Sequence, residues 1–473
     1  MKTDELLRGL SLSAGLLACM GAYGAPTKKP NVVFVFADQW RAQDLGCIKG
    51  ANVKTPNIDK LASEGLMFTN AVSSMPVSSP YRASLLTGQY ALTHGVFIND
   101  VPLDPAANTM GKSFKQAGYH TAYIGKWHVD GHGRTNYIPP ERRQGFDYFK
   151  ALECTHSYNR SQYYDNDDPK VKMWEGYDAI AQTEDAISYI TARHDDNQPF
   201  ALFLSWGPPH DPYERVPQQY LDMYPPSAVK MRPNVPEESR DKAYRDLQGY
   251  YAHITALDDC VGKLQSCIRN LGMDEHTIFV FTSDHGDMLH SQGMVRKQKP
   301  YEESAVIPFI LKYPDMFGVK GRKISTPLGT PDIMPTLLSM CHIEIPSTVE
   351  GDNLSPILTG KKKDDIEGVL IECVMPFSEW NLNNGGREYR AVRTKRYTYV
   401  RDLEGAWLLY DNQKDPYQLN NLANQKKVAK TQRKLDDLLN RLLAERGDKF
   451  LPGYDYVRQH GYDAYITPQG IYK

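Results

Sequence analysis

A hydroxyl, a proline and an arginine, spaced as at the start of an anion-binding helix, occur together in Ser-Ser-Pro-Tyr-Arg at residues 78–82. Pro80 predicts the first turn of a helix, because a proline there removes no intrahelical hydrogen bond. Ser78 then lies at the helix N-terminus, where unpaired N–H groups and the positive end of the helix dipole attract an anion. Arg82 lies one turn further on the same face, and its guanidinium suits an oxyanion. The segment therefore predicts a nucleophile beside an anion-binding site.

Further reactive side chains follow four apolar segments that predict buried strands. These segments are Asn31–Ala37, Thr121–Gly125, Phe200–Trp206 and Thr277–Thr282. The groups after them, able to bind metal or transfer protons, are Asp38 and Gln39, Lys126 and His128, His210, and Asp284 and His285. In open α/β sheets, ligands bind outside the carboxyl ends of the strands. We therefore expect these side chains to converge on one site.

Helical segments separate the predicted strands, at Pro56–Glu64, Thr109–Ala117, Tyr177–Arg193 and Ser239–Leu271. This alternation predicts an α/β fold with a large mixed, mostly parallel sheet sandwiched by helices. After about residue 360 the pattern changes to short strands and one helix, at Gly368–Val374, Tyr389–Arg393, Tyr397–Arg401, Ala406–Tyr410 and Gln425–Arg446. We therefore predict a large domain at residues 25–360 and a smaller C-terminal α+β domain with an antiparallel sheet at 361–473.

Composition narrows the class of protein. The 473 residues can bury a large core, and 41% hydrophobic and 24% charged residues are typical of a globular protein. The formal net charge is −2 and there is no long basic run, which argues against nucleic-acid binding. Six cysteines follow the N-terminal segment, an even number that permits disulfides without assigning them: Cys47, Cys154, Cys260, Cys267, Cys341 and Cys373.

The first 24 residues predict a secretory signal peptide. Lys2 and Arg8 precede or flank a mostly apolar or small segment, and Ala22-Tyr23-Gly24 offers a cleavage site between small residues. The apolar run is too short for a stable membrane span. Leu16-Leu17-Ala18-Cys19 also resembles a bacterial lipobox, so a lipid anchor at Cys19 is an alternative. We expect an exported protein of the periplasm or cell surface of a bacterium.

Taken together, the reactive segments resemble the type I sulfatases, a formylglycine-dependent family of the alkaline phosphatase superfamily. Residues 78–88 match the family's Ser/Cys-x-Pro-x-Arg and Leu-Thr-Gly signature, although Tyr81 stands where relatives carry a small residue. Other matches are Gly125-Lys126-Trp127-His128, Pro209-His210-Asp211-Pro212, Ser283-Asp284-His285-Gly286, and Lys297 before Tyr301-Glu302. The resemblance extends from about Pro30 to Leu422 and implies hydrolysis of O-sulfate esters.

For residue 78, the resemblance implies oxidation after translation to formylglycine, whose hydrated aldehyde is the nucleophile. A serine rather than a cysteine there implies a radical-type sulfatase maturase as partner and an oxygen-poor bacterial habitat. The other implied roles are sulfate binding by Lys126 and Lys297, orientation of the hydrate by Arg82, protonation of the leaving oxygen by His210, and proton removal for sulfate release by His128. Lys299 is an alternative to Lys297, because it lies only two residues away.

The same resemblance implies a metal site. Its ligands are Asp38, Gln39, Asp284, His285 and the oxidised Ser78. Hard oxygen ligands favour Ca²⁺, with Mg²⁺ also possible. Gln39 and His285 depart from the ligand types that many relatives carry, and the alternative for Gln39 is that it only forms hydrogen bonds nearby.

Residues expected near the site suggest a substrate. Aromatic rings can stack on sugars, and arginines can bind a carboxylate or a second sulfate. The predicted substrate-binding residues are His156, Arg160, Arg296, Trp380 and Arg387. Export and an oxygen-poor habitat favour a sulfated glycan as substrate. Two alternatives remain: a phosphonate or phosphate ester hydrolase of the same superfamily, and an inert glycan-binding protein with unmodified Ser78.

Overall fold

A computed structural model describes residues 29–473, so the predicted signal peptide and Cys19 lie outside the described residues. The strands are β1 Asn31–Asp38, β2 Leu66–Phe68, β3 Ala71–Val72, β4 His120–Lys126, β5 Tyr148–Leu152, β6 Gln162–Asp165, β7 Asp168–Met173, β8 Phe200–Pro209, β9 Thr277–Ser283, β10 Phe309–Lys312, β11 Arg322–Ile324, β12 Leu328–Gly329, β13 Gly368–Cys373, β14 Tyr389–Thr394, β15 Tyr397–Asp402 and β16 Gly405–Asp411.

The helices begin with α1 Pro56–Glu64, α2 Ser78–Thr87, α3 Ala91–His94, α4 Met110–Gln116, α5 Asp178–Asp195, α6 Gln218–Leu221 and α7 Arg240–Asn270. They continue with α8 Glu302–Ala305, α9 Pro314–Phe317, α10 Ile333–Met340, α11 Ser355–Leu358, α12 Ala429–Glu445 and α13 Gly453–Gln459. The predicted helix Pro56–Glu64 is confirmed at both ends, and the other predicted helices are confirmed with shifts of a few residues. The largest shift is at the start of α12, where residues 426–428 form a separate 3₁₀ turn.

Ten strands form the large sheet, in the order β11-β2-β10-β9-β1-β8-β4-β5-β6-β7. The five central strands, from β9 to β5, run parallel to one another, and antiparallel pairs occur only outside this group. The prediction of a mixed, mostly parallel sheet is therefore confirmed. Because β1, β4, β8 and β9 are parallel, their carboxyl ends lie at one edge of the sheet.

Both faces of the central sheet are covered, which explains the uninterrupted apolar runs of its strands. Along β1, Val32, Phe34 and Phe36 pack in one core cluster, beside residues of α2, α4 and α10. The alternate residues Val33 and Val35 pack in a second cluster, beside residues of α1, α5 and α7. These two layers hold the strand ends in fixed positions.

The C-terminal region contains the predicted four-stranded antiparallel sheet, in the order β13-β14-β15-β16. Leu435, Leu438 and Leu439 of α12 pack on it. Residues after α12 return to the large core, where Tyr456 and Ile466 join the cluster that covers β1. The small sheet and the large domain therefore share a packed interface, and the boundary at residue 360 stays a prediction.

Strands β5, β6, β7, β10 and β11 are elements that the sequence did not reveal. They are short. β7 is an exposed edge strand that contains Pro169, Lys170 and Lys172. Proline and lysine protect an edge strand from pairing with another chain, and they give no apolar pattern from which a strand could be predicted. Between residues 29 and 473 no helix has both the length and the apolar character to cross a membrane. Over the same residues, the six cysteines are unpaired.

Candidate active site

The predicted convergence of strand ends occurs. Asp38 ends β1, Lys126 ends β4, and Asp284 directly follows β9. Ser78, at the first position of α2, is buried against them. Its Oγ lies 3.3 Å from Asp38 Oδ2 and 3.1 Å from His285 Nε2. A nucleophile at a helix N-terminus thus meets the side chains at the sheet edge.

Helix α2 is buried along its whole length, which fixes Ser78 in place. The Ser79 N–H has no acceptor within the helix, because it lies in the first turn, and it donates to Asn99 Oδ1 at 3.0 Å. The helix ends at Gly88, whose φ of 67° is a left-handed conformation that glycine adopts without strain. Tyr81, the departure from the family signature, packs in the core cluster that covers β1.

Asp38, Asp284 and His285 form a group that fits a metal ion. One donor atom from each lies within 4.8 Å of the others, and all three residues are buried. His285 Nδ1 donates to the Gly286 carbonyl at 2.9 Å, which leaves the Nε2 lone pair free to bind. Burial lowers the pKa of His285, so the imidazole is neutral as a ligand must be. Two carboxylates with one imidazole suit a divalent cation.

Positive charge surrounds these carboxylates. Burial opposes the ionisation of Asp38, but the charge of Lys126, together with Lys297 and the nearby histidines, outweighs it and holds the Asp38 pKa well below its usual range. Lys126 Nζ forms an ion pair with Asp38. Arg82 Nη2 lies 3.4 Å from Asp38 Oδ2 and 3.2 Å from Asp284 Oδ2. Arg82 therefore bridges the carboxylates of Asp38 and Asp284, and it lies one turn after Ser78 on α2.

Gln39 has a left-handed backbone, with φ of 72°. Its side-chain amide donates to Asp287 Oδ2 at 2.8 Å, so the amide oxygen is turned the other way, where it accepts from Lys297 Nζ at 3.1 Å. Sequence reasoning missed Asp287. Its place three residues after Asp284, in Asp-His-Gly-Asp, is the signal that was available. The role of Gln39 as a metal ligand stays a prediction.

His210 and Lys297 face each other. Lys297 Nζ donates to His210 Nε2 at 2.8 Å, while His210 Nδ1 lies 2.8 Å from the Asp211 carbonyl oxygen. Burial and the Lys297 charge lower the pKa of His210 well below its usual value. Lys299 instead donates to the Val295 carbonyl. Of the two candidate lysines, Lys297 is the one in contact with site residues.

His128 lies after β4 and is buried. Its Nε2 is 3.3 Å from Asp100 Oδ1, a residue that sequence reasoning missed. Asp100 lies in a loop, with no strand before it and no motif around it that marks chemistry. Only the folded chain brings it to His128.

The five predicted substrate-binding residues occupy different places. His156 stacks on His210, with ring centroids 4.4 Å apart. Arg296 pairs with Asp211 at 2.9 Å. In sequence, Arg296 directly precedes Lys297 and Asp211 directly follows His210. The others are Arg160, which is exposed, Trp380, which is buried against Lys299, and Arg387, which pairs with Asp402 and stacks on Trp407. His156 and Arg296 thus adjoin the reactive groups, and substrate contact by all five stays a prediction.

Comparison with known proteins decides the family. The family model described as Sulfatase matches residues 30–343, which is well over half of the chain. The chain belongs to the sulfatase family. A second model, described as the C-terminal region of N-sulphoglucosamine sulphohydrolase, matches residues 291–445 of the sulfatase. The enzyme is therefore a sulfuric ester hydrolase, as the sequence predicted.

Individual relatives support this membership. The sulfatase is 45% identical to an ulvan-active sulfatase of Formosa agariphila, over 92% of this chain and 85% of that one. It is 31% identical to an endo-4-O-sulfatase of Bacteroides thetaiotaomicron, over 83% and 88% of the two chains. Its structure is similar to that of a protein from Bacteroides fragilis assigned as a sulfatase, with a TM-score of 0.81, 34% identity, and coverage of 94% of this chain and 100% of that chain. The predicted fold and enzyme class are confirmed.

Proposed function

We propose that the sulfatase removes O-sulfate groups from a sulfated glycan, using formylglycine formed from Ser78 and a bound divalent cation. The observation that carries the proposal is the position of Ser78 Oγ, 3.1 Å from His285 Nε2 and 3.3 Å from Asp38 Oδ2, at the start of a helix. Lys126 and Lys297 reach the same group of residues. An anion at the helix start would therefore meet two ammonium groups.

Asp38, Asp284 and His285 would hold the cation, with Gln39 and the oxidised residue 78 completing its ligands. Calcium fits this oxygen-rich set best, and magnesium is the alternative. When bound, such a cation lowers the pKa of a hydroxyl at residue 78 and polarises the sulfate oxygens. Lys126 and Lys297 orient the sulfate by pairing with its remaining oxygens.

The first chemical step transfers the sulfo group to the enzyme. One hydroxyl of hydrated residue 78 loses its proton to solvent, and its oxygen forms a bond to sulfur while the bond from sulfur to the sugar oxygen breaks. His210 gives its proton to that sugar oxygen. Burial and the Lys297 charge lower the pKa of His210. The negative charge of a bound sulfate ester would draw the Lys297 ammonium towards itself and raise the pKa of the imidazole, so that it can carry the proton.

The second step releases sulfate. His128 takes the proton of the remaining hydroxyl on residue 78. The carbon–oxygen double bond of the aldehyde re-forms, and the bond from that carbon to the sulfate oxygen breaks, so sulfate leaves with the bonding electron pair. Water then hydrates the aldehyde again. An unmodified serine lacks the second oxygen and cannot complete this step.

A polysaccharide substrate is supported by the relatives. The Formosa agariphila relative is ulvan-active, and the Bacteroides thetaiotaomicron relative is an endo-4-O-sulfatase. His156 and Arg296, which adjoin His210, would contact the sugar because the leaving oxygen lies on the His210 side. The arginine already pairs with Asp211, so the two together suit sugar hydroxyls.

Export and maturation complete the proposal. The predicted signal at residues 1–24 supports a periplasmic or cell-surface enzyme of a bacterium, and Cys19 a possible lipid anchor. Ser78 rather than cysteine supports a radical-type maturase as partner. These inferences rest on the sequence and the family resemblance.

The proposal is tested by comparing initial rates on matched aryl sulfate, aryl phosphate and aryl phosphonate esters, followed by a screen of sulfated polysaccharides for released sulfate. We expect the aryl sulfate to be hydrolysed at least about 100-fold faster than the other esters, because specificity is a difference in transition-state binding. Sulfate release from at least one polysaccharide is also expected. A preference for the phosphorus esters would contradict the proposal.

A further inference from the structure

We propose that Asp100, clamped by Arg134, is a positioning residue that keeps the proton of His128 on Nε2 and its lone pair on Nδ1. The inference rests on the proposed function, because the lone pair matters only if His128 takes a proton from residue 78. Asp100 touches neither substrate nor reacting atoms in this account. It acts through the imidazole.

The hydrogen bond defines the tautomer. His128 Nε2 lies 3.3 Å from Asp100 Oδ1. An ionised carboxylate can only accept, so Nε2 must carry the proton, and in the neutral ring Nδ1 is then the acceptor. Within residues 29–473, His128 Nδ1 is buried and has no hydrogen-bond partner. A buried acceptor without a donor is costly, so Nδ1 is available to accept a proton, and in the proposed function its donor is the hydroxyl on residue 78.

Arg134 keeps Asp100 ionised. Its Nε and Nη2 donate to the two oxygens of the Asp100 carboxylate at 3.0 and 2.7 Å, a bidentate pair. Burial of Asp100 opposes ionisation, but hydrogen bonds from His128 and Arg134 outweigh it and hold the pKa below its usual range. The carboxylate therefore stays an acceptor at neutral pH. It also stabilises the imidazolium that forms when His128 is protonated.

The loop that carries Asp100 is fixed from two sides. Asn99 Oδ1 accepts the Ser79 N–H at the start of α2, 3.0 Å away. The Asn99 N–H donates to Tyr472 Oη, near the C-terminus, at 3.1 Å. Asp100 itself has a φ of 64°, a conformation uncommon for a non-glycine residue. The loop thereby couples the position of the nucleophile's helix to the position of the carboxylate that orients His128.

The chain offers a matched control. Asp130, two residues after His128, forms a similar pair, with Arg142 Nε at 2.6 Å and Nη2 at 3.2 Å. Its carboxylate does not contact His128. Asp130→Asn therefore breaks an aspartate–arginine pair in the neighbouring loop without changing the partner of the imidazole. Asp100→Asn changes that partner, because an amide can present its NH₂ to Nε2 and drive the proton to Nδ1.

The experiment has two readouts. In the full-length protein with unmodified Ser78, histidine ¹⁵N chemical shifts report the tautomer, and His128 is assigned by the loss of its signals in His128→Gln. We expect protonation on Nε2 in the wild type and in Asp130→Asn, and a shift toward Nδ1 in Asp100→Asn. In the matured enzyme, Asp100→Asn should lower kcat on an aryl sulfate about 100-fold or more. It should also accumulate residue 78 with one added SO₃ group, seen by peptide mass.

The possible results distinguish a failure of the role of Asp100 from a failure of the proposed function. A wild-type His128 protonated on Nδ1 would overturn the role of Asp100, and so would an Asp100→Asn enzyme with kcat within threefold of Asp130→Asn. If Asp100→Asn does not fold, Arg134→Gln serves instead, with the same accumulation and about a tenfold loss of kcat expected; neither effect in that variant would overturn the proposal. Repeated turnover by protein with unmodified Ser78 would instead overturn the proposed function, whatever the tautomer.

Discussion

The floor and the rim of the active site hold their charges in different ways. The floor consists of Asp38, Ser78, Arg82, Lys126, Asp284 and His285. By rim we mean the three arginines predicted to bind substrate, which are Arg160, Arg296 and Arg387. In the floor, the Arg82 side chain is 1% exposed and is shared between two buried carboxylates. In the rim, the side chains of Arg296 and Arg387 are 41% and 46% exposed. Arg296 pairs with Asp211 and lies 3.9 Å from Glu379, and Arg387 pairs with Asp402.

This difference explains what each region can do. A buried charge without its partner costs several kcal/mol, so each floor residue depends on the others. Exposed ion pairs are worth only about 0–1 kcal/mol, so rim residues can change with little effect on stability. We therefore expect substitutions in the floor to be costly and substitutions in the rim to be tolerated.

Removal of metal should give the largest effect. Treatment with a chelator should abolish hydrolysis, a loss of at least about 1,000-fold, since charge stabilisation by a metal is worth several kcal/mol. Added Ca²⁺ should restore the rate better than Zn²⁺, because two carboxylates dominate the donor set. Calorimetry on the protein with unmodified Ser78 should detect Ca²⁺ binding that Asp284→Asn weakens. Full activity of protein with negligible metal content would contradict this.

Loss of His210 should have a large effect that depends on the leaving group. His210→Ala should lower kcat/KM about 100-fold or more on a sugar sulfate, because an alkoxide needs its proton. On nitrophenyl sulfate, whose leaving group is stable as an anion, the loss should be less than about tenfold. The exposed His194→Ala is the control. Equal losses on both substrates would rule out the role of His210 as the general acid.

Changes in the rim should affect KM more than kcat. Arg296→Gln breaks the pair with Asp211 and should raise KM for the glycan about two- to fivefold, the range expected of an exposed ion pair. Arg441→Gln, which breaks an exposed pair with Glu367 in the C-terminal domain, provides the control. Steady-state kinetics on both variants provide the test. A loss of kcat above tenfold would place Arg296 functionally with the floor.

The smallest effect is expected at the C-terminus. Tyr472→Phe leaves the Asn99 N–H without its hydrogen-bond acceptor and should destabilise the protein by about 1–3 kcal/mol. The melting temperature should fall by a few degrees, while kcat changes less than about threefold because Asn99 still caps α2. Tyr465→Phe, at an exposed position, should change neither. A tenfold fall in kcat with an unchanged melting temperature would contradict a supporting role for Tyr472.

Residues at the ends of the predicted strands could be assigned to the site from the sequence, but the residues that form hydrogen bonds to them could not. Asp38, Lys126, His210 and Asp284 follow apolar strands, and the topology of parallel sheets makes such positions meet. Asp100 lies in a loop that follows no predicted strand, and Asp287 lies four residues after β9, beyond the two residues that were singled out there. Their contacts with His128 and Gln39 arise from chain folding over long sequence separations, which no local pattern encodes.

The elements of the fold also differ in whether the sequence could predict them. Long apolar strands and amphipathic helices were predicted, because burial on both faces or on one stripe leaves a clear periodicity. The strands β6, β7 and β11, at or next to the edges of the sheet, were missed because short, partly exposed strands lack that signal, and β5 was missed because its five residues are too few to show a period. The return of Tyr456 and Ile466 to the large core was also missed, because the Tyr- and Gly-rich tail carries no helix or strand period. Rim pairs such as Arg387 with Asp402 likewise follow no motif.

The mass of the peptide containing residue 78, measured on the same preparations as turnover, tests the central claim most directly. Preparations should be active in proportion to the fraction of residue 78 carried as formylglycine. Ser78→Cys should gain activity in a host that oxidises cysteine in this motif, and Ser78→Ala should stay inactive in every host. A preparation in which residue 78 is entirely unmodified serine, yet which desulfates its substrate over many turnovers, would contradict the account.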